Sequence, residues 1–107
     1  MKILNINGLE IKIGSNQFEN QELIDNMEHD HTWFHVDNLQ SAHLVIPVSY
    51  KNLSKKELYL IALELKKNSK YSKHNNIPII YCHRESIKST STPGKVLIIG
   101  KKNIINA

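Results

Sequence analysis

The chain has 107 residues and a single cysteine, Cys82, so we expect one domain, residues 1–107, that can form no intramolecular disulfide. Its apolar runs are far shorter than the roughly 18 to 20 residues that cross a bilayer, and no secretory signal is visible, so we expect a cytoplasmic protein without a membrane role. Charge is uneven: residues 1–50 hold two lysines against seven acidic residues, a net of −5, whereas residues 51–107 hold twelve basic residues against three acidic ones, a net of +9. The second half is therefore the candidate for contact with a polyanion.

The first half of the chain reads as short elements separated by turn signals. Residues 9–13 alternate apolar and charged side chains, which predicts a half-buried strand, and the polar residues 14–16 end it. Apolar residues at helical spacing predict a short helix at about 20–28. Residues 32–36 and 42–48 are rich in β-branched and aromatic side chains and predict the two strands of a hairpin.

The parity of this hairpin decides which side chains share a face. Because successive strand residues point to opposite faces, Trp33 and His35 lie on one side of the first strand. A turn that is symmetric about Leu39 would place His35 opposite His43 and Trp33 opposite Val45. The pattern therefore predicts an aromatic and imidazole cluster on one face of the sheet.

The second half contains the clearest helix. A Ser-x-x-Glu capping box at Ser54 predicts its start, and we expect the main helix at about 54–71. Residues 77–82 predict a buried strand, and residues 96–99 a final strand with a partner at 104–105. The whole pattern predicts the α+β class: a single compact domain with a mixed β-sheet, the main helix on one face and the shorter helix near an edge.

Several segments together form a recognisable set: GSNQFENQELI at 14–24, DHTWFHV at 30–36 and SAHLV at 41–45, with KNSK at 67–70 and PGKV at 93–96. Over roughly residues 9–105 the chain resembles the NFACT-R domain family, which is found alone in the coiled-coil domain-containing protein 25 form and at the end of ribosome-quality-control NFACT proteins. The resemblance implies a non-catalytic RNA-binding domain, linked to tRNA, the large ribosomal subunit and translation. Many members have arginine where this chain has Ser15.

Lysines are the first candidate contacts, because each phosphate that is neutralised adds affinity through counterion release. They cluster at and beyond the end of the main helix, and further lysines could extend the field. The alternative is a solvated helix face. The predicted set is Lys66, Lys67, Lys70 and Lys73, with Lys88, Lys95, Lys101 and Lys102 as the extension.

Trp33, His35 and His43 are the second candidate set, because an aromatic ring beside imidazoles offers stacking and hydrogen-bond donors to an unpaired base. The alternative is that Trp33 belongs to the core and the histidines are satisfied polar residues. In the loop that follows the first predicted strand, Asn16 and Asn20 offer a helix cap first and a contact to RNA second.

Catalysis and metal binding are disfavoured. Cys82 and His83 point to opposite faces of one strand, so the histidine cannot activate the thiol, and a buried cysteine is expected. His35 and His43 could serve as acid and base of a metal-free phosphodiesterase, which is a weaker alternative. The histidine spacing predicts no zinc site, and no cofactor is expected.

We therefore predict a non-catalytic module that binds RNA, with tRNA or ribosomal RNA favoured by the resemblance and DNA as an alternative ligand. A second hypothesis from another class is a protein-interaction module. In it the acidic N-terminal half would dock a basic partner, such as a ribosomal protein or a translation factor.

Overall fold

Besides two short 3₁₀ helices at Tyr50–Asn52 and Arg84–Ser86, the regular structure of this protein consists of eight strands and two α-helices, and its computed structural model describes all 107 residues. In chain order they are β1 (Lys2–Ile6), β2 (Leu9–Ile13), α1 (Gln17–Asp25), β3 (Thr32–Val36), β4 (Leu44–Ile46), α2 (Lys55–Lys67), β5 (Pro78–His83), β6 (Ile87–Ser89), β7 (Val96–Ile98) and β8 (Asn103–Asn106). Neither helix has the length and apolarity that a membrane span requires.

Six strands form the main sheet in the order β1-β2-β4-β3-β5-β8, and β6 and β7 form a separate two-stranded sheet. The predicted α+β class is confirmed. Every neighbouring pair is antiparallel, however, so the expectation of a mixed sheet was wrong. The expected pairing of residues 96–99 with 104–105 was also wrong, because β7 pairs with β6 while β8 pairs with β5 at the edge of the main sheet.

The hairpin of β1 and β2 turns through Asn7 and Gly8, which have φ angles of +52° and +85°. Two consecutive left-handed residues are typical of the type I′ turn, whose twist matches that of the strands it joins. No strand is predicted before residue 9, so β1 is an addition to the predicted elements.

One face of the main sheet is covered by α2. Its capping box is present: Ser54 Oγ accepts from the Glu57 amide at 3.1 Å, and Glu57 Oε1 accepts from the Ser54 amide at 2.9 Å. The helix ends at Lys67 rather than at residue 71, because side chains then take over the helix carbonyls, beginning with Asn68 Nδ2, which donates to the Glu64 carbonyl at 2.7 Å. Its buried stripe packs on side chains of β2, β3, β4 and β5; the stripe is Leu58, Ile61, Ala62 and Leu65.

The other face is covered in part by α1, which begins three residues earlier than predicted because Asn16 is its cap. Leu23 and Ile24 of α1 are buried against Trp33, Val45 and neighbouring residues of the sheet. The expectation that this helix lies near a sheet edge was therefore wrong. The two helices pack on opposite faces of the main sheet, so there is a hydrophobic cluster on each face. Successive residues of a strand point to opposite faces and therefore belong to different clusters.

Candidate nucleic-acid interface

A cavity of about 1060 Å³ opens on the α1 side of the main sheet. Its floor is the part of the sheet that carries Trp33, His35, His43 and Ile80. Four segments form its walls: the loop before α1, the turn between β3 and β4, the turn after α2, and the loop before β7. Their lining residues are Gly14 to Gln17 with Asn20, Asp37 to Ala42 without Leu39, Asn68 to Lys70, and Thr92 to Val96.

The aromatic and imidazole cluster forms as the hairpin parity predicted. Trp33 pairs with Val45 across the strands, and the rings of His35 and His43 lie 5.0 Å apart. The Trp33 ring lies parallel to His35 at 5.4 Å, and its Nε1 donates to His43 Nδ1 at 3.0 Å. Trp33 is only 2% exposed, so half-buried His35 is the more accessible member of this stack.

The hydrogen bond from Trp33 fixes the protonation state of His43. An indole N–H can only donate, so His43 Nδ1 is the acceptor and the neutral ring carries its proton on Nε2. Burial, together with the neighbouring His35, lowers the pKa of His43 to about 3. The pKa of His35 is also lowered, chiefly by burial. The floor of the cavity is therefore uncharged at neutral pH.

Asn20 reaches the same floor from α1. Its Oδ1 accepts from the backbone amide of His43 at 3.3 Å, and Asn20 is only 8% exposed. This contact needs a glycine at position 14, because a Cβ there would overlap Asn20 Oδ1. The Gly14 amide donates in turn to the His43 carbonyl at 3.0 Å. The loop before α1 is thus attached to β4 beside His43.

Asn16 fulfils the capping role that the sequence suggested. Its Oδ1 accepts from the amides of Phe18 and Glu19, at 3.0 and 2.9 Å. The opposite wall is held against α1 by Gly94, whose amide donates to Gln21 Oε1 at 2.9 Å. Gly94 has a φ of +79°, and a Cβ there would lie 2.8 Å from the Gln17 carbonyl oxygen.

Four lysines from four separate segments line the cavity, and Asp37 is the one acidic residue among its lining residues. Lys70 lies beside Tyr71, with Nζ 5.6 Å from the ring centroid, and Lys2 Nζ donates to Asn68 Oδ1 at 3.3 Å. A strong excess of positive charge therefore surrounds an uncharged floor. We call these residues the rim lysines: Lys2, Lys70, Lys95 and Lys102.

The structure brings together six of the nine residues that the sequence singled out as the nucleic-acid site: Trp33, His35, His43, Asn16, Asn20 and Lys70 all line the cavity. Lys66, Lys67 and Lys73 do not, and Lys67 forms an ion pair with Glu64 at 3.5 Å. Lys2 is not among the predicted contacts, because no local sequence pattern connects β1 to the end of α2.

Packing accounts for Cys82 and His83, the possible nucleophile and base that the sequence raised. Cys82 is fully buried, and burial raises the pKa of its thiol to about 11. His83 faces the other way, where its Nε2 lies 2.7 Å from Ser49 Oγ. One group of potential metal ligands, Glu28, Asp30 and His31, lies away from the cavity, and within it His31 Nδ1 accepts from the Glu28 amide at 3.2 Å.

Comparison with known proteins adds independent findings. A family model described as the NFACT protein RNA binding domain matches residues 3–106. Coiled-coil domain-containing protein 25 of Danio rerio is 33% identical over 86 residues, which are 76% of this chain and 42% of that protein. The Bos taurus protein of the same name is 30% identical over 93 residues, or 82% and 45% of the two chains. The chain thus spans less than half the length of these relatives.

A solved structure shares the fold. The C-terminal part of the fibronectin/fibrinogen-binding protein from Streptococcus suis matches with a TM-score of 0.84 at 20% identity, over 97% of this chain and 43% of that one. At this level of identity the similarity concerns the arrangement of strands and helices.

Proposed function

Because the chain belongs to the family of NFACT RNA-binding domains, a family of nucleic-acid-binding modules, we propose that it binds RNA through the cavity and its rim lysines, without catalysis. One observation carries the proposal: lysines from four separate segments meet around a single cavity whose lining includes one carboxylate. Lysine is a mobile point charge that suits phosphates, so this rim favours contact with a backbone more than the reading of a base sequence.

The favoured ligand class is tRNA or ribosomal RNA, with DNA as the alternative, and the expected setting is translation or ribosome quality control in the cytoplasm. RNA is favoured because single-stranded loops and ends present the unstacked bases that a cavity of this kind can admit. Duplex DNA would meet the rim lysines but would leave the cavity empty.

The test is a fluorescence-anisotropy titration of total tRNA and of a matched DNA duplex at several salt concentrations. Each phosphate that a lysine neutralises contributes about −0.7 to −0.9 to the slope of log affinity against log salt concentration. Three lysine–phosphate contacts therefore contribute about −2 to −3. The triple variant Lys70→Gln, Lys95→Gln and Lys102→Gln should weaken tRNA binding and flatten the slope by that amount.

A matched control removes the same charge elsewhere. Lys51, Lys55 and Lys56 are exposed and do not line the cavity, so their triple change to glutamine should leave most of the slope in place. Equal losses in the two triple variants would refute a localised site. No binding of tRNA or DNA by the wild type at low salt would refute the function itself.

The cluster at the end of α2 needs its own variant, because the sequence favoured it. Changing Lys66, Lys67 and Lys73 to glutamine tests whether phosphates also bind outside the cavity. We expect a smaller loss than for the rim lysines, since these three residues do not face the cavity and Lys67 is paired with Glu64. A larger loss of RNA affinity would indicate that the main contact with phosphates lies at the end of α2.

A protein-interaction role is the second candidate, and α1 is the observation that favours it. Phe18 is 67% exposed on this helix, beside the exposed carboxylates of Glu22 and Asp25. A basic partner that binds here should be lost on Glu22→Lys and Asp25→Lys, while binding of tRNA persists. Glu19 is less available, because it already pairs with the amino terminus and Ser15.

A phosphodiesterase gains little support from the geometry. His35 and His43 are adjacent, but a ring with a pKa of about 3 is neutral at pH 7 and a weak base. His43 also has Nδ1 occupied by Trp33. Cleavage of RNA by the wild type that is lost in a folded His43→Gln variant would contradict this assignment.

A further inference from the structure

Two buried side chains on the cavity floor each keep one hydrogen-bond donor without a partner in the chain. Asn20 uses Oδ1 to accept from His43, and its Nδ2 donates to no protein atom. His43 uses Nδ1 to accept from Trp33, which leaves the proton on Nε2. Every fully enclosed side-chain nitrogen and oxygen atom has a partner, so these two donors must be open to the cavity.

The two residues that carry these donors are buried. Asn20 is 8% exposed and His43 is 4% exposed, so each residue is more than nine-tenths buried. Water or a ligand atom in the cavity must satisfy each of these donors, because a donor left without any partner is destabilising. Two such donors, on two residues that line the same cavity, indicate a binding position for acceptor atoms.

Charge separates the cavity into two zones. The floor is neutral, because burial keeps His35 and His43 unprotonated, whereas the rim carries the lysines. An ionised group placed on the floor would lose its hydration without gaining a full counter-charge, so an anion belongs at the rim. A ligand that fits both zones has a neutral body with acceptor atoms and a covalently attached anionic group.

We infer that the cavity binds one nucleoside monophosphate unit, with acceptor atoms of the base against Asn20 Nδ2 and His43 Nε2 and the phosphate among Lys70, Lys95 and Lys102. The volume of about 1060 Å³ is sufficient, because ligand pockets in proteins span about 300 to 1,000 Å³. The inference rests on the proposed function in that RNA would present this unit at an unpaired or terminal position; a free nucleotide has the same chemistry.

Uridine 5′-monophosphate is the first probe, with inorganic phosphate as its control. The chain has one tryptophan, and Trp33 lines the cavity, so its fluorescence reports occupancy. We expect saturable quenching by the nucleotide, together with NMR shifts of the Asn20 side-chain amide and of the His43 ring. Phosphate should shift residues around the rim lysines only. Equal responses at Asn20 to the two probes, or none to the nucleotide, would overturn the inference.

Asn20→Asp is the sharpest variant, because it keeps the shape and the oxygen that accepts from His43 but replaces the free donor by a charged acceptor. We expect nucleotide affinity to fall by about tenfold or more, the value of one hydrogen bond to a buried donor. Circular dichroism under the titration conditions checks that the variant is folded, because the change also places a charge at a buried position. Asn26→Asp, at the exposed end of α1, is the matched control for the added charge. Wild-type affinity in a folded Asn20→Asp protein would overturn the assignment.

The two sources of the unit are told apart by comparing the mononucleotide with a short single-stranded oligouridine and a duplex RNA of equal length. Tighter binding of the single strand, with displacement by the mononucleotide, assigns the cavity to a nucleotide within RNA. Saturable binding of the mononucleotide without binding of the strand or of tRNA assigns it to free nucleotides, in which case the cavity inference stands and the proposed function fails. Lysine-dependent RNA binding without any NMR shift of Asn20 or His43 would refute the cavity inference and leave RNA binding by the rim lysines in place.

Discussion

Lowering the pH from 7 to 5 should destabilise this fold, because His43 is held neutral in its interior. Burial first, and His35 second, lower its pKa to about 3 from the ordinary value of 6.5. Below pH 6.5 the unfolded chain binds a proton there that the folded chain does not, so the free energy of unfolding falls as the pH falls. Over the roughly 1.5 pH units from 6.5 to 5, at about 1.4 kcal/mol per unit, the loss is about 2 kcal/mol.

The window between pH 7 and pH 5 isolates the histidines. His35 contributes in the same direction, because its pKa is also lowered by burial. Hydrogen bonds with the amino terminus lower the pKa of Glu19, and the hydrogen bond from the Ser54 backbone lowers that of Glu57. Stability from these two carboxylates is present above their ordinary value of 4.5 and is lost only below it, so it does not change in this window.

Urea unfolding at pH 7, 6 and 5 measures the effect in the wild type and in His43→Gln, which retains an acceptor for the Trp33 indole. The wild type should lose about 2 kcal/mol or more between pH 7 and 5, and the variant should lose about 2 kcal/mol less. His74→Gln, at an exposed position, is the control and should keep the wild-type dependence. A wild-type curve that is flat over this range, or a His43 ring that titrates near pH 6.5 by NMR, would refute the described packing around Trp33.

Three further substitutions test the cavity walls and the main helix. Gly14→Ala should displace Asn20, destabilise the fold by about 1 to 3 kcal/mol and abolish nucleotide-dependent quenching of the tryptophan, measured by urea unfolding and fluorescence. Gly94→Ala, at a positive φ and against the backbone of α1, should cost about 1 to 2 kcal/mol and weaken RNA binding in the anisotropy titration. Ser54→Ala should cost about 1 kcal/mol by removing the cap of the Glu57 amide, and should leave RNA affinity unchanged.

Local signals predicted α2 and the hairpin of β3 and β4 well. The capping box is a short-range interaction that the sequence encodes directly, and the alternation of side chains fixed which residues share a face. For that reason Trp33, His35 and His43 could be placed together before the fold was known. The predicted 42–48 strand is shorter in the structure, at Leu44–Ile46, because only its centre pairs with a neighbouring strand.

The missed strand β1 did have a signal. Asn7-Gly8 between two apolar runs is the strongest short sequence pattern for a two-residue hairpin, and the structure uses it. The pairings of β7 and β8 had no such signal. Strands of three or four residues carry too little pattern to specify their partners, so tertiary packing decides. Lys95 and Lys102 directly precede these two strands or lie between them, so their positions on the cavity rim were inaccessible for the same reason.

The walls of the cavity come from widely separated parts of the chain, with Lys2 near one end and Lys102 near the other. No fragment of the domain contains a complete binding site, so occupancy is linked to the global folding equilibrium. A ligand at 100 times its dissociation constant should raise the free energy of unfolding by about 2.7 kcal/mol. A thermal-shift screen of nucleotides and RNAs would therefore search for ligands of this cavity without any label, and a truncated chain would serve as its blank.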